Sequence, residues 1–398
     1  MRIPAPAIPI PRLPVLSWRY FFDRRACPLP AVTDAGRVIP TTSGRAAIAI
    51  ALKTLGCGYG DRVLVPTYHC PTMVAPIVAL GGEPVFYPID ESGSPQLEVL
   101  ETLLRAGARA LIVPHYFGLP RPMRAVRTLC DTYHTALIED CAHAFFGRVE
   151  GRGIGGWGDF AIASLTKFFP VTEGGCLIQR QTGLNTASLG RRGHTVSLKV
   201  IADAIELGVM HQRLGGLNQL LGAAYRAKYR RRGSPSQAYL ARTESPTLET
   251  AVRRAKADFA DESLPFRRIA AAAWHLVRMG GAGRIVAKRQ ANFNWLAARL
   301  STLSGARPLV RQAGDESAPY VFPLWVDEPE RVYQSVRTSG VPVFRWDDRW
   351  PGTPRWPGDA GEAWSHHVFQ IGCHQDLRPQ DLEWIAGTLE QIIDGRPA

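Results

Sequence analysis

The chain has 398 residues, 45% of them hydrophobic and 21% charged, with a formal net charge of +12. That balance excludes a collagen-like, low-complexity or disordered protein and suits two folded domains sharing a deep cleft. The longest uncharged run, residues 63 to 82, contains three prolines, a histidine and two glycines, which excludes a membrane span. Residues 1–36 form a proline-rich N-terminal segment. From residue 41, helical and strand-like stretches alternate. "SGRAAIAIALKTLG" (43–56) predicts a helix, with Gly56 as a terminator. "DRVLVP" reads as a strand, "PTMVAPIVALGG" as a helix and "PVFYPID" as a strand. "SPQLEVLETLLRAG" is helical, "ARALIVPHYFG" a strand, "MRAVRTLCDTYH" a helix and "TALIEDCAH" a strand. Apolar strands alternating with helices indicate an α/β fold, a mostly parallel sheet covered on both faces. A basic helical insertion occupies about 190–262, interrupting a large domain over 37–265. A long helix over 267–300 leads into a smaller C-terminal α+β domain, 266–398, with strands in "YVFPLWVD" and "GVPVFRW" and a closing helix "PQDLEWIAGTLEQII".

Ligands of open α/β sheets bind beyond the carboxyl ends of the strands. Those ends carry Thr67, Tyr68, His69 and Cys70, then His115, then Glu139, Asp140 and His143, then Ser164 and Lys167. Lys167 stands among Phe168, Phe169 and Pro170. An ammonium withdrawn from water is costly unless it is paired, neutralised or chemically consumed. A buried lysine beside a buried aspartate suits pyridoxal 5'-phosphate: Lys167 holds the cofactor as an imine and Asp140 holds the protonated pyridine nitrogen. The cofactor phosphate needs a cradle of donors, and Ser43 and Gly44 open a helix whose N–H groups and dipole favour an anion. Ser-Gly before a helix is equally ordinary capping chemistry. Ser164 is a second candidate donor. No clustered carboxylates or His-x-x-x-His pair marks a metal site, so none is expected.

Taken in order, "TSGRAAIAIALKTLGCGYGDRVLVP", "PVFYPID", "VPHYFG", "LIEDCAHAFFGRVEGRGIGGWGDFAIASLTK" and "EGG" resemble the DegT/DnrJ/EryC1/StrS aminotransferases. The resemblance is strong over residues 40 to 180 and continues to the end in "QIGCHQDLRPQDLEWIA". It implies the fold of PLP-dependent transferases of type I, the aspartate-aminotransferase architecture, and a homodimer with sites near the subunit interface. It implies transamination of a keto sugar, nucleotide-linked in many members, with glutamate as amino donor. Position by position, Lys167 matches the Schiff-base lysine and Asp140 the partner of the pyridine nitrogen. His143 matches a position near the ring oxygen, while Ser43, Gly44, Arg45 and Ser164 match the phosphate site.

The chain departs from that pattern in three places. An aromatic residue generally stacks on the cofactor ring after the second strand; direct register gives Cys70 here, so either its thiol packs there or, the favoured choice, His69 or Tyr68 swings over the ring. "SLPFRRIAAAAW" keeps Arg267 of an Asn-x-Arg motif without its asparagine. The insertion at 190–262 matches nothing in the family. Tryptophans 346, 350, 356 and 364, with Arg345 and Arg349, suit stacking on a sugar or base and pairing with a diphosphate, or equally an ordered surface loop. Seven scattered cysteines form no C-x-x-C pair, which fits a reduced cytoplasmic setting. The positive charge is mostly dispersed arginine, apart from "RAKYRRRG" (226–233), and reads as a solvated face with no nucleic-acid partner expected. Two other readings remain open. One is an aminotransferase for a non-nucleotide ketone such as a cyclitol. The other is a noncatalytic binding or regulatory protein that docks an anionic partner through 226–232.

Overall fold

A computed structural model describes residue 6 and residues 8–23, 25–180, 189–232, 247–259 and 265–395, without the side chains of 229–232. Parts of the expected insertion, the end of the basic run and the start of "SLPFRR" therefore lie outside the described residues. The larger sheet has seven strands: β1 (Arg37–Thr41), β2 (Arg62–Pro66), β3 (Glu83–Tyr87), β4 (Ala110–Pro114), β5 (Ala136–Asp140), and then, beyond a short hairpin of β6 (Arg148–Val149) and β7 (Arg152–Gly153), β8 (Phe160–Ser164) and β9 (Gly175–Gln179). Their spatial order is β1-β9-β8-β5-β4-β2-β3. β3, β2, β4, β5 and β8 run parallel, and β9 is antiparallel to both β8 and β1. The central strands are buried along nearly their whole length, which is why they read as unbroken apolar runs rather than alternating ones.

After the short helix α1 (Trp18–Phe22), the helices joining these strands are α2 (Gly44–Thr54), α3 (Pro71–Ala79), α4 (Leu97–Arg105) and α5 (Arg124–Thr132). The insertion contributes α6 (His194–Met210), α7 (Leu217–Arg232) and α8 (Leu248–Asp258), and α8 packs on α3. The expected single helix over 267–300 is two, α9 (Ala271–Met279) and α10 (Ala282–Arg299). Gly280 and Gly281 form the break, and the ring of Tyr20 occupies the space that a side chain at 280 would need. The second sheet is antiparallel in the order β10-β11-β13-β12, from β10 (Ala306–Pro308), β11 (Val321–Val326), β12 (Val343–Phe344) and β13 (Val368–Gly372). Around it lie α11 (Pro329–Ser339), α12 (Gly361–His367) and α13 (Pro379–Asp394). Among the described residues, no helix is long and apolar enough to cross a membrane.

Candidate active site

At the carboxyl ends of the parallel strands lies a cavity of about 340 Å³. Its floor comes from the larger sheet: Ser43, Gly44 and Arg45 at the start of α2, Cys70 before α3, His115 after β4, Asp140 and His143 after β5, and Ser164 and Lys167 after β8. Tyr320, Phe344, Trp346 and Gln370 of the second sheet close it from above. The structure thus gathers Lys167, Asp140, His143, Ser164, Ser43, Gly44 and Arg45 around one space, from segments more than 120 residues apart.

Asp140 is buried and accepts the Ala142 N–H on Oδ1 at 2.8 Å. Among the described residues no donor pairs with its other oxygen. Burial pushes its carboxyl up; the Ala142 N–H, Lys167 and His115 pull it back. Lys167 is shifted the other way: burial lowers its ammonium, opposed by the charge of Asp140. Its Nζ lies 5.1 Å from the Tyr320 ring and, among the described residues, forms no ion pair within 4.0 Å. Two opposite charges line one cavity, feel each other and do not touch.

His143 packs against Tyr320, with ring centroids 4.5 Å apart, and against Trp346 at 5.0 Å. Its Nδ1 accepts the Phe117 N–H at 3.3 Å, so the neutral ring carries its proton on Nε2. Burial, reinforced by Lys167, holds it well below the usual histidine range, and it stays neutral at physiological pH. The Ser43 hydroxyl caps α2 by accepting the Ala46 N–H at 3.2 Å, which is the ordinary capping reading, yet the same residue lines the cavity. Arg45 is exposed and pairs with Asp258 of α8 at 2.8 Å. The "EGG" stretch explains itself here. A Cβ on Gly175 would collide with the Ser43 carbonyl and the Gly44 amide, so only glycine lets β9 back the turn that opens α2. Glu173 takes Arg192 at 2.6 Å and the Ala270 N–H at 3.0 Å.

Of the three candidates after β2, the cavity receives only Cys70. Tyr68 and His69, expected to swing over a ring, are both fully buried away from it. The Tyr68 hydroxyl accepts from Gln370 at 3.1 Å, and its ring packs on Tyr116, Trp346 and Trp364. His69 accepts the Trp350 N–H on Nε2 at 2.9 Å and donates from Nδ1 to the Pro66 carbonyl at 2.9 Å, which consumes both nitrogens. His69 is instead an anchor for a strap, residues 345–360, that crosses from the second sheet to the first. The strap is also held by Asp359, which accepts from Thr67 at 2.8 Å and from the Ile89 N–H at 3.0 Å. Of the strap tryptophans and the neighbouring Trp364, Trp346 reaches the cavity, while Trp350 and Trp364 are buried as packing. Arg345 pairs with Glu330 at 2.7 Å and Asp347 at 2.8 Å.

His115 lines the cavity and is fully buried. Its Nε2–H meets Glu139 at 2.9 Å and its Nδ1 accepts the Arg121 N–H at 2.9 Å. Glu139 also accepts the backbone N–H groups of Gly155, Trp157 and Gly158. Burial would raise that carboxyl, but His115 and these N–H groups more than offset it and hold it below its ordinary value. His115, Glu139 and Cys141 bring ligand-type atoms within 4.8 Å of one another, but the hydrogen bonds of the first two already occupy the lone pairs a metal would need. Sequence reasoning missed Tyr320, Phe344 and Gln370, because no local signal says which second-sheet residues will face a distant cleft.

A mostly parallel sheet whose strand ends carry Lys167 and Asp140, capped by a second, antiparallel sheet, is the fold type I architecture. Residues 27–200 match the sequence model of the DegT/DnrJ/EryC1/StrS aminotransferase family. The chain is 30% identical over 159 residues to a UDP-N-acetyl-3-dehydro-alpha-D-glucosamine 3-aminotransferase of Acidithiobacillus ferrooxidans, covering 38% of this chain and 42% of that protein. It is also 30% identical over 165 residues to an L-glutamine:2-deoxy-scyllo-inosose aminotransferase of Streptoalloteichus tenebrarius, covering 41% and 38% respectively. The matched region therefore spans about two-fifths of these relatives' length. The fold extends further: an aminotransferase from Psychrobacter cryohalolentis superimposes with a TM-score of 0.63 at 16% identity over 92% of this chain and 89% of that one.

Proposed function

We propose that the protein is a PLP-dependent aminotransferase that moves an amino group from an amino acid, glutamate by preference, to a nucleotide-linked keto sugar. The observation that carries this reading is the unpaired placement of Asp140 and Lys167 around one cavity, which leaves space for a group that contacts both. The residues present fit pyridoxal phosphate. The carboxylate suits a protonated pyridine nitrogen, the Nε2–H of His143 suits the ring oxygen, and the α2 N-terminus with Ser164 suits the phosphate. Bound there, the cofactor supplies an electron sink for the carbon that loses its proton.

The protein's own residues do the rest. Lys167, with its ammonium pulled down by burial, is the anchoring amine and afterwards the base that takes and returns the proton at the substrate carbon. Asp140, raised but opposed by Lys167 and an N–H donor, stays an anion that holds the ring nitrogen's proton. His143 stays neutral and donates without adding charge. Tyr320, Trp346 and Phe344 exclude water above this floor. Purified protein loaded with pyridoxal phosphate should be reduced by sodium borohydride to a stable adduct on Lys167, and Lys167→Ala should show none; an adduct on the variant overturns the assignment.

A second reading, amination of a cyclitol, is favoured by the similarity to the inosose aminotransferase at equal identity. A panel of nucleotide-linked keto sugars and inososes, each with glutamate or glutamine and followed by mass spectrometry, separates the two. The same reading implies a homodimer, checked by light scattering.

A further inference from the structure

Arg289, on α10, is fully buried, yet among the described residues no carboxylate pairs with it. Four neutral acceptors satisfy it instead. Its Nε donates to the side-chain oxygen of Gln375 at 2.9 Å, and its Nη1 to the carbonyls of Pro319 at 2.8 Å and Tyr320 at 3.2 Å. Its Nη2 donates to the carbonyl of Lys167 at 2.6 Å. The guanidinium lies over the Phe168 ring, 4.3 Å from its centre. Gln375 completes the arrangement by donating its Nε2–H to the Phe168 carbonyl at 2.8 Å. Gln375 is itself held in place: Arg284, one α10 turn earlier, donates to its backbone carbonyl at 3.0 Å, and Asn292 donates to the neighbouring His374 carbonyl at 3.0 Å.

Desolvating a guanidinium is expensive, and a carboxylate would offset that cost better than amide carbonyls do. Carbonyls do have one property that a carboxylate lacks: each fixes the backbone of a particular residue. Two of the residues so fixed, Lys167 directly and Tyr320 together with its neighbour Pro319, have side chains that face each other across the cavity, with the Lys167 Nζ 5.1 Å from the Tyr320 ring. One planar fork therefore sets the separation between the floor, after β8, and the cap, at the start of β11.

We infer that Arg289, braced by Gln375, is a positioning residue for the reacting lysine: it touches neither substrate nor cofactor and holds the Lys167 backbone at a fixed distance from Tyr320. This rests on the proposed role of Lys167. A lysine ammonium at position 289 would keep the charge but, as a single point of donors, would not span both carbonyl sets. Arg289→Lys therefore separates geometry from charge. Gln375→Leu keeps the arginine but removes the acceptor of its buried Nε–H and the bond to the Phe168 carbonyl, so the fork is free to shift off the Lys167 carbonyl.

The test uses the full-length, cofactor-free protein. Its readout is the pH midpoint for competitive acetylation of Lys167 by acetic anhydride, resolved by peptide mass spectrometry, with thermal unfolding as the control for folding. A loosened Lys167 gains water and loses part of the burial that depresses its ammonium. In both folded variants the midpoint is expected to rise toward the ordinary lysine value by about half a unit or more. Midpoints equal to wild type in the folded variants overturn the inference, and if Arg289→Lys does not fold, Gln375→Leu decides alone. Failure of the wild-type protein to form a borohydride-stable adduct with pyridoxal phosphate would instead overturn the aminotransferase reading, while the acetylation result would still judge the clamp.

Discussion

Asp140 and Lys167 answer each other electrostatically across a gap. Each is displaced by burial toward its neutral form, and each is the other's counterweight. Asp140→Asn removes the anion that raises the lysine ammonium, so the Lys167 pKa should fall further below its ordinary value near 10.5. The same acetylation titration would read this as a lower midpoint, and an unchanged midpoint would mean the two groups do not interact. Transamination should be lost as well, because an amide does not hold a proton on the pyridine nitrogen. Loss of turnover with an intact thermal transition is the expected result.

Turns and strand ends carry the next level of control. β9 passes so close to the Ser43–Gly44 turn that Gly175→Ala forces backbone apart on both sides. A destabilisation of about 1–3 kcal/mol is expected from such overpacking. It should be read as a lower urea midpoint, together with weaker retention of pyridoxal phosphate, because the displaced turn opens α2. Gly44→Ala makes a useful contrast: a Cβ there meets its neighbours only at ordinary contact distance, 3.8 Å and beyond, so space does not forbid it. The floor of the site was legible in the sequence for a physical reason. Consecutive parallel strands deliver their carboxyl ends to one rim, so His115, Asp140, His143, Ser164 and Lys167 stand together as soon as the strands are recognised. The residues after β2 were misjudged because a strand-end position does not say which of four neighbours turns outward. His69 and Tyr68 turned inward to partners 281 and 302 residues away, and no local pattern contains those partners. The two-helix break had a local signal, the Gly280–Gly281 pair, although the Tyr20 ring that fills the space beside it lies far off in the chain.

For the whole molecule, the joint between the two sheets is chemical as well as apolar. His69 is held neutral by burial, down to about 4, and in that state it accepts the Trp350 N–H. Its folded pKa lies below the unfolded value of 6.5, so the unfolded chain binds the extra proton between those limits. Its contribution to stability is therefore complete above about pH 6.5 and is lost as pH falls toward 4. Urea unfolding across that window should show this loss in the wild-type protein and a shallower one in His69→Ala. At neutral pH the variant should be less stable by about 1–3 kcal/mol, because the Trp350 N–H and the Pro66 carbonyl lose a buried partner.

The strap from 345 to 360 is moored at Trp350 by His69 and near its far end through Asp359, while its start brings Trp346 to the cavity. On the proposed aminotransferase reading, Asp140 and Lys167, which handle the proton, sit on the larger sheet, and the residues facing the incoming ketone hang from the smaller one. New acceptor preferences are therefore open to laboratory evolution through a library confined to positions 344, 346 and 370, with the proton-handling residues never mutated.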